Sequence, residues 1–396
     1  METNEKVKIL FVDDEPNVVM GYKRMLHPMR NEWEMYFANS GAEALDILKK
    51  SETDIVISDM KMPQMDGAQL LSIIKNTYPG IIRIILSGYS EKEFIMKTSS
   101  SAHQFLAKPC KMDVLKNTIQ RLINLHNLVL NKEIKQKITG LSNLPSLPLL
   151  YKQLDEELKS KIVAIKKIGD IISQDITMTA KILQMVNSAF FGLPQKIIDP
   201  VQAVNFLGMD TIKSLVLFHN LFSTFNNDSL IQNYLQQIWV HSFKVAFGAK
   251  KIMEVRGESR QILEKTFAAG LLHDIGKLVL VETKEYRDEI LNCNDVLYRE
   301  HREFEQKIFG ADHSIIGGYL LGLWGLPDYM IESTAFHHSP AAIVSDKFSI
   351  VNVIAIADSF FLDEEFDEDY ISVLGIEKEL PVYLEILRNI EGIAYA

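Results

Sequence analysis

Residues 55–67 read IVISDMKMPQMDG, and this stretch decides the fold of the first part of the chain. Its opening run, Ile55–Ser58, is apolar and β-branched, which predicts a short buried strand that ends at Asp59. An amphipathic helical pattern follows this run and also follows three similar runs, at Lys8–Val12, Ile81–Leu86 and Gln104–Ala107. This alternation predicts a five-stranded parallel sheet, covered by helices on both faces, that extends to about residue 120.

Polar residues stand at the ends of these predicted strands: Asp13 and Asp14, Asp59, Ser87 and Lys108. Because parallel sheets bind ligands at the carboxyl ends of their strands, we expect these side chains to converge. Clustered carboxylates repel one another unless a cation lies among them, and Mg²⁺ prefers oxygen ligands. The pattern therefore predicts an Mg²⁺ site on the three aspartates. Asp59 would accept a phosphoryl group, and the Lys108 ammonium would neutralise its charge.

Two further residues are candidates for a conformational switch. A hydroxyl at Ser87 could donate a hydrogen bond to the new phosphoryl oxygen and draw its loop inward. Phe105 is the aromatic side chain that we expect to move with it.

In these motifs the chain resembles the receiver domains of two-component response regulators. The resemblance covers residue 7 to about residue 125 and includes the acidic pair, the turn from Asp59 to Pro63, Asp66-Gly67, Ser87-Gly88 and Lys108-Pro109. It implies a flavodoxin-like (βα)₅ fold, bound Mg²⁺, and phosphorylation of Asp59 by a sensor histidine kinase.

The chain is predicted to divide into a receiver domain at 1–125, a helical linker at 126–139 and a helical output domain at 140–396. Leu115, Leu122 and Val129 recur every seven residues, so the linker is either the receiver's last helix, prolonged, or a dimeric coiled coil. Two prolines between Gly140 and Pro148 then interrupt the helical pattern.

Seven histidines and aspartates in the helical second part could be metal ligands: His241, His273, Asp274, His313, His337, His338 and Asp358. A single histidine on a helix is more often an ordinary core or surface residue. Imidazole together with carboxylate, however, suits iron, manganese or zinc, and the adjacent His273-Asp274 pair favours such a site.

The segment from Ala269 to Lys277 resembles the metal-binding signature of the HD phosphohydrolase superfamily, a resemblance that places Lys277 to contact a phosphate. His313 and His337-His338 match positions of the HD-GYP branch, which degrades cyclic di-GMP. The Gly-Tyr-Pro motif of that branch is absent. The sequence outside these ligand segments, including Asp175–Gly192, resembles the HDOD domains, relatives in which catalysis is largely lost. The implied output domain is therefore HDOD-like, with an HD-GYP-like ligand set.

Composition limits the remaining choices. A net charge of −10 disfavours DNA as a partner. The chain has only two cysteines, no apolar leader sequence and no apolar run long enough for a membrane span, so we expect a cytoplasmic protein without disulfides or membrane contact.

Two functions remain open. In the first, phosphorylation of Asp59 controls an HDOD domain that acts by binding another, unknown protein. In the second, the chain is a regulated metal-dependent phosphohydrolase for a cyclic dinucleotide or a nucleotide. We consider an enzyme the less favoured hypothesis, and by analogy we favour a homodimer formed through the receiver or the connector.

Overall fold

The computed structural model of the protein describes residues 6–88, 101–128, 154, 157, 165–173, 178–179, 182–183, 186, 197–223, 229–292, 300–343, 348–366 and 368–391. The chain forms two compact units. Residues Met1–Ser146 make up most of the first unit, and the second consists of Leu147–Leu321 and Leu326–Ala396.

The first unit is an α/β domain built on a five-stranded parallel sheet. In chain order its elements are β1 (Val7–Val12), α1 (Pro16–Met25), β2 (Trp33–Ala38), α2 (Gly41–Lys50), β3 (Ile55–Asp59), α3 (Gly67–Thr77), β4 (Ile82–Gly88), β5 (Gln104–Lys108) and α4 (Met112–Leu128). The strand order is β2-β1-β3-β4-β5, and all four pairings are parallel. This is the order of flavodoxin-like folds, so the predicted fold class is confirmed. The connection between β4 and β5, residues 89–100, lies outside the described residues.

The sheet is buried because its strands carry apolar side chains on both faces. Ile9, Leu10 and Phe11 of β1 and Val56 of β3 are fully buried. The central strands are in register, with Phe11 opposite Ile57 and Ile57 opposite Ile84. Such runs are expected where helices cover both sides of a parallel sheet.

Local hydrogen bonds fix the chain that follows the predicted phosphorylation site. The side chain of Asp66 accepts a hydrogen bond from the backbone N–H of Gln69, so this aspartate starts α3 as an N-cap. The Gly67 N–H donates to the Met60 carbonyl at 2.9 Å. A Cβ at position 67 would lie 2.2 Å from the Asp59 carbonyl oxygen, so the chain passes the end of β3 at a distance that only glycine allows.

Helix α4 contains part of the predicted connector. Leu115 and Leu122 are at most 1% exposed, so the chain itself covers these two heptad positions. Residues 129–150, which include Val129 and most of the predicted linker at 126–139, lie outside the described residues. The domain boundaries at 125/126 and 139/140 therefore stay predictions.

The second unit is helical, and its described residues contain no strand. Its helices are α5 (Ile165–Ser173), α6 (Pro200–Leu207), α7 (Met209–Ser223), α8 (Ser229–Val255), α9 (Arg260–Leu272), α10 (Gly276–Leu280), α11 (Lys284–Asn292), α12 (Glu300–Phe309), α13 (His313–Leu323), α14 (Asp328–Phe336), α15 (Ile350–Phe361), α16 (Glu368–Leu374) and α17 (Leu380–Glu391). Of the predicted HDOD-like segment at 175–192, only five residues are described.

Helix α8 lies at the centre of the described part of this unit and packs against α9, α15 and α17. Phe243 of α8 and Phe267 of α9 meet edge to face at 5.7 Å between ring centroids. Buried residues of α8, α9, α15 and α17 form one apolar cluster, which explains how α8 and α15 hold polar residues in fixed positions. Within the part of the chain that the structure describes, no helix combines the length and apolar character needed to cross a bilayer.

A glycine contact brings α10 and α13 together. A Cβ added at Gly276 would lie 1.9 Å from the His313 carbonyl oxygen and 2.8 Å from the Gly317 backbone nitrogen. The two backbones therefore touch, which places the start of α13 beside the segment that carries His273 and Lys277.

Candidate functional site

The first candidate site lies at the carboxyl edge of the sheet. Asp13 follows β1, Asp59 ends β3 and Lys108 ends β5. The Lys108 Nζ atom lies 2.9 Å from Asp13 Oδ2 and also forms an ion pair with Asp59 Oδ1. Asp13 is 1% exposed and Asp59 is 8% exposed. The structure thus brings together two predicted carboxylates and the predicted lysine.

The charges of this site are coupled. Burial raises the pKa of Asp59, and the hydrogen bond from Lys108 only partly opposes that shift. Burial also disfavours the Lys108 ammonium, but hydrogen bonds to Asp59 and Asp13 outweigh it and raise the lysine's pKa. Lys108 therefore stays charged and supplies the positive charge that the two acids need.

The remaining predicted receiver residues lie near the same edge. Ser87 is buried on β4 opposite Ala107, one residue beyond the Leu86 that pairs with Asp59. Asp14 follows Asp13 and is half-buried. Phe105 pairs with Ile85 in the sheet, and its side chain lies outside what the structure describes.

Carboxylate oxygens at this edge fit the preference of Mg²⁺ for oxygen ligands. Among the described residues, groups of three donors whose ligand atoms lie within 4.8 Å of one another occur only in the second unit. Asp13, Asp14 and Asp59 therefore do not form such a group. In this arrangement the Lys108 ammonium bridges Asp13 and Asp59.

The second candidate site is a cluster of imidazoles and carboxylates inside the helical unit. His241 lies on α8, the His273-Asp274 pair follows α9, His313 begins α13, the His337-His338 pair follows α14, and Asp358 lies on α15. The structure brings all seven predicted ligands together. Three overlapping groups have ligand atoms within 4.8 Å: His313, His337 and His338; His241, His273 and Asp358; and His273, Asp274 and His337.

Asp358 and Asp274 organise this cluster. Asp358 Oδ1 lies 2.8 Å from His241 Nε2 and 3.2 Å from His273 Nε2. Asp274 Oδ1 lies 3.1 Å from His313 Nε2. Except for half-buried His338, all seven residues are at most 3% exposed. Two carboxylates amid five imidazoles form a donor set that suits iron, manganese or zinc.

The outer nitrogens of three histidines are already occupied. His273 Nδ1 can donate to the Gly270 carbonyl at 2.7 Å, and His337 Nδ1 can donate to the Thr334 carbonyl at 2.8 Å. His313 Nδ1 lies 2.7 Å from Glu305 Oε2. Metal-binding histidines show this pattern, because the outer bond fixes the ring and leaves Nε2 for the ion. His337 Nε2 is buried without a hydrogen-bond partner in the described part of the chain, and a buried nitrogen of this kind fits a metal ligand.

The carboxylates of the cluster stay ionised. Burial opposes the charge on Asp358, but hydrogen bonds from His241 and His273 outweigh it and hold the pKa well below its usual range. Burial also opposes the charge on Asp274, and its pKa is likewise held well below the usual range by the Lys277 ammonium and the adjacent imidazoles.

The imidazoles differ from one another. Burial lowers the pKa of His337 to about 3, so the ring stays neutral and its Nε2 atom carries no proton while Nδ1 donates to Thr334. At His313, burial is outweighed by Glu305, and the pKa rises to about 10. A cation would thus replace a proton at His313 but not at His337.

Lys277 is buried, and its Nζ atom donates to Asp274 Oδ2 at 2.7 Å. The lysine therefore neutralises a carboxylate of the cluster. The resemblance to HD enzymes instead predicts a phosphate contact, which stays a prediction.

Glu305 was not among the residues predicted from the sequence, although one signal for it was present. His301, Glu305 and Phe309 are spaced four residues apart on α12 and are all buried, so they share the inward face of the helix. A glutamate on an inward face needs a buried partner, and here that partner is His313.

Two family models match the chain: the response regulator receiver domain over residues 9–120, and the HDOD domain over residues 144–340. An uncharacterized protein of Treponema pallidum (strain Nichols) is 22% identical over 260 residues, which is 63% of this chain and 49% of the relative. The chain thus spans about half the length of that relative.

The sporulation initiation phosphotransferase F of Bacillus subtilis (strain 168) is 32% identical over 121 residues, which is 30% of this chain and 94% of that protein. A crystal structure of an HDOD domain protein of unknown function from Geobacter sulfurreducens is 21% identical; its match covers 71% of this chain and 99% of that chain, with a TM-score of 0.47. The two family models and the match to the phosphotransferase identify the chain as a member of the response regulators of two-component systems, with a receiver domain followed by an HDOD domain.

Proposed function

We propose that Asp59 takes a phosphoryl group from a sensor histidine kinase and that this event controls the HDOD domain. The observation that carries the proposal is the contact of Lys108 with both Asp59 and Asp13 at the carboxyl edge of the sheet. In the transfer, an Asp59 carboxylate oxygen forms a bond to phosphorus while the bond between phosphorus and the donor breaks. Lys108 stabilises the added negative charge, and bound Mg²⁺, held by Asp13, Asp14 and Asp59, would supply further charge neutralisation.

The output of the HDOD domain, in this proposal, is the binding of another protein. In this proposal the histidine cluster has a structural role and not a catalytic one. Support for that role comes from the burial of the cluster and from Lys277, whose ammonium is held by Asp274. Structural metal sites are closed by their ligands, whereas catalytic sites keep an open position. We therefore propose that the seven-residue cluster holds an iron, manganese or zinc ion that stabilises the helical unit.

The test compares the wild type with Asp59→Asn, in which the acceptor is an amide. Acetyl phosphate should increase the intact mass of the wild type by one phosphoryl group and leave Asp59→Asn unchanged. Asp46→Asn removes an exposed carboxylate of α2 and serves as the matched control, which should be modified like the wild type. Protein capture from a lysate of the source organism should then differ between phosphorylated wild type and Asp59→Asn. An unmodified wild type, or identical capture by both proteins, would contradict the proposal.

A second candidate function is a metal-dependent phosphohydrolase acting on a cyclic dinucleotide or a nucleotide. The observation that favours it is the convergence of all seven donors, with Lys277 beside them. A bound ion would supply Lewis acidity there, and Lys277 would leave Asp274 to bind a substrate phosphate.

Metal analysis followed by a hydrolysis screen separates the two candidates. Protein purified without added metal is analysed for transition metals and then incubated with cyclic dinucleotides and nucleotides, with Asp274→Ala as the control. Hydrolysis by the wild type that Asp274→Ala abolishes would establish the enzyme. Bound metal without hydrolysis would support the structural ion, and a wild type without metal would contradict both proposals for the cluster.

A further inference from the structure

A chain of buried hydrogen bonds leads outward from the histidine cluster. Glu305 Oε2 accepts from both the backbone N–H and the Nδ1 atom of His313, each at 2.7 Å. The Tyr286 hydroxyl donates to Glu305 Oε1 at 3.0 Å, and the Tyr234 hydroxyl lies 2.7 Å from that of Tyr286. Glu305 and Tyr286 are fully buried, and Tyr234 is 3% exposed.

The chain fixes Glu305 in one orientation. Each carboxylate oxygen has a donor, so the cost of burying the charge is offset by hydrogen bonds on both sides. The four residues come from α8, α11, α12 and α13, so the position of the carboxylate is set by packing between helices. The three outer residues, Glu305, Tyr286 and Tyr234, were not among the predicted site residues.

The fixed Glu305 carboxylate orients the imidazole of His313. With Nδ1 bonded to Glu305, the imidazole presents Nε2 to the cluster, 3.1 Å from Asp274 Oδ1 and 3.0 Å from His338 Nε2. The outer bonds of His273 and His337 end instead on neutral carbonyl oxygens. Among these three histidines, His313 alone has a charged outer partner, and a carboxylate partner makes an imidazole a more basic ligand.

We propose that Glu305, held by Tyr286, is a positioning residue that makes His313 a strong Nε2 ligand of a transition metal. The inference rests on the proposed metal centre. Its chemistry concerns the chain's own hydrogen bonds and does not depend on whether the centre hydrolyses a substrate.

The test measures Zn²⁺ affinity of the full-length chain, stripped of metal and titrated against a chromophoric chelator. Glu305→Gln keeps the shape of the side chain and removes its charge. Glu303→Gln makes the same change at an exposed position two residues away on α12 and is the matched control. Loss of the carboxylate should raise the dissociation constant for Zn²⁺ roughly 10- to 100-fold, as is typical for outer partners of metal-bound histidines. Glu303→Gln should bind like the wild type, and Tyr286→Phe should show a smaller loss than Glu305→Gln.

A second readout distinguishes positioning from general stability. In ¹⁵N-histidine NMR spectra of the Zn²⁺-loaded wild type, His313 should carry its proton on Nδ1 and the metal on Nε2. Equal affinities of Glu305→Gln and Glu303→Gln, or coordination of His313 through Nδ1, would overturn the inference while leaving the metal centre intact. If Glu305→Gln does not fold, the spectrum of the wild type still decides the matter. A wild type that takes up none of Zn²⁺, Fe²⁺ and Mn²⁺ would overturn the proposed centre and this inference together.

Discussion

Lys108 is the residue that keeps two buried acids compatible at the edge of the receiver sheet. Its ammonium contacts Asp13 and Asp59, which have little access to water. Without that charge, the two carboxylates would repel each other and Asp59 would bind a proton more readily. Asp59 is a poor acceptor for a phosphoryl group when it is protonated or when repulsion from Asp13 moves it out of position.

Lys108→Ala should therefore slow phosphorylation of Asp59 by acetyl phosphate. We expect a decrease of about 100-fold, the size of effect seen when one charge-stabilising donor is removed from an active site. The rate is measured by intact-protein mass spectrometry at several time points. Lys111→Ala, which removes an exposed lysine three residues away, should react at the wild-type rate. Equal rates for the two variants would show that Lys108 has no part in the transfer.

Two residues of the helical unit show the limits of prediction from sequence at this scale. The seven candidate ligands were predictable because the segment around His273-Asp274 resembles the metal-binding signature of the HD phosphohydrolases, and this resemblance extends to the other five positions. The partner of Lys277 depends on packing, although Asp274 stands three residues before it and such pairs are neighbours on a helix. Glu305 depends on where α12 packs against α13, which a single sequence does not specify.

Among the five predicted strands of the receiver, β2 was the one whose position the sequence patterns did not indicate. Only Trp33 and Ala38 at its two ends are buried, and the intervening residues are intermediate or exposed. As an edge strand of the sheet, β2 therefore lacks the continuous apolar run that marks β1 and β3. Strands at the centre of the sheet were predictable because burial on both faces requires such runs.

The close contact between α10 and α13 predicts that Gly276, the first residue of α10, cannot be replaced by a residue with a side chain without a loss of stability. Gly276→Ala would force a Cβ to within 1.9 Å of the His313 carbonyl oxygen, so the two helices must separate. We expect the free energy of unfolding of the helical unit to fall by about 3 kcal/mol, the upper part of the usual range for overpacking. Urea denaturation followed by circular dichroism measures this change.

Gly21→Ala is the comparison for that substitution. The nearest atom to a Cβ at this α1 position is Met25 Cε at 3.8 Å, so the methyl group fits. Alanine in a helix should then stabilise the receiver by about 0.5–1 kcal/mol relative to glycine. If Gly276→Ala were equally harmless, the close approach of α10 and α13 would not exist in solution.

On the scale of the whole molecule, the two units should respond differently to the removal of transition metals. A ligand that binds only the folded state stabilises it by about 2.7 kcal/mol when its free concentration is 100 times its dissociation constant. Adding 1,10-phenanthroline should therefore lower the melting temperature of the helical unit and leave that of the receiver unchanged, as measured by differential scanning calorimetry.

The variant Asp274→Asn provides the control for this experiment, because it removes a carboxylate shared by two histidines of the cluster. Its melting profile should not respond to the chelator. A wild type whose profile is equally insensitive would argue against a structural ion.

The spacing of the cluster along the chain has a consequence for the folding of the helical unit. His241 and Asp358 are 117 residues apart, and an ion between them would act as a cross-link that closes this long loop. A covalent link around a loop of about 100 residues is worth about 4.7 kcal/mol through the entropy of the unfolded chain. Five separate segments would then have to open together before any one of them could exchange its amide protons, so the ion would turn local fraying into a single cooperative event.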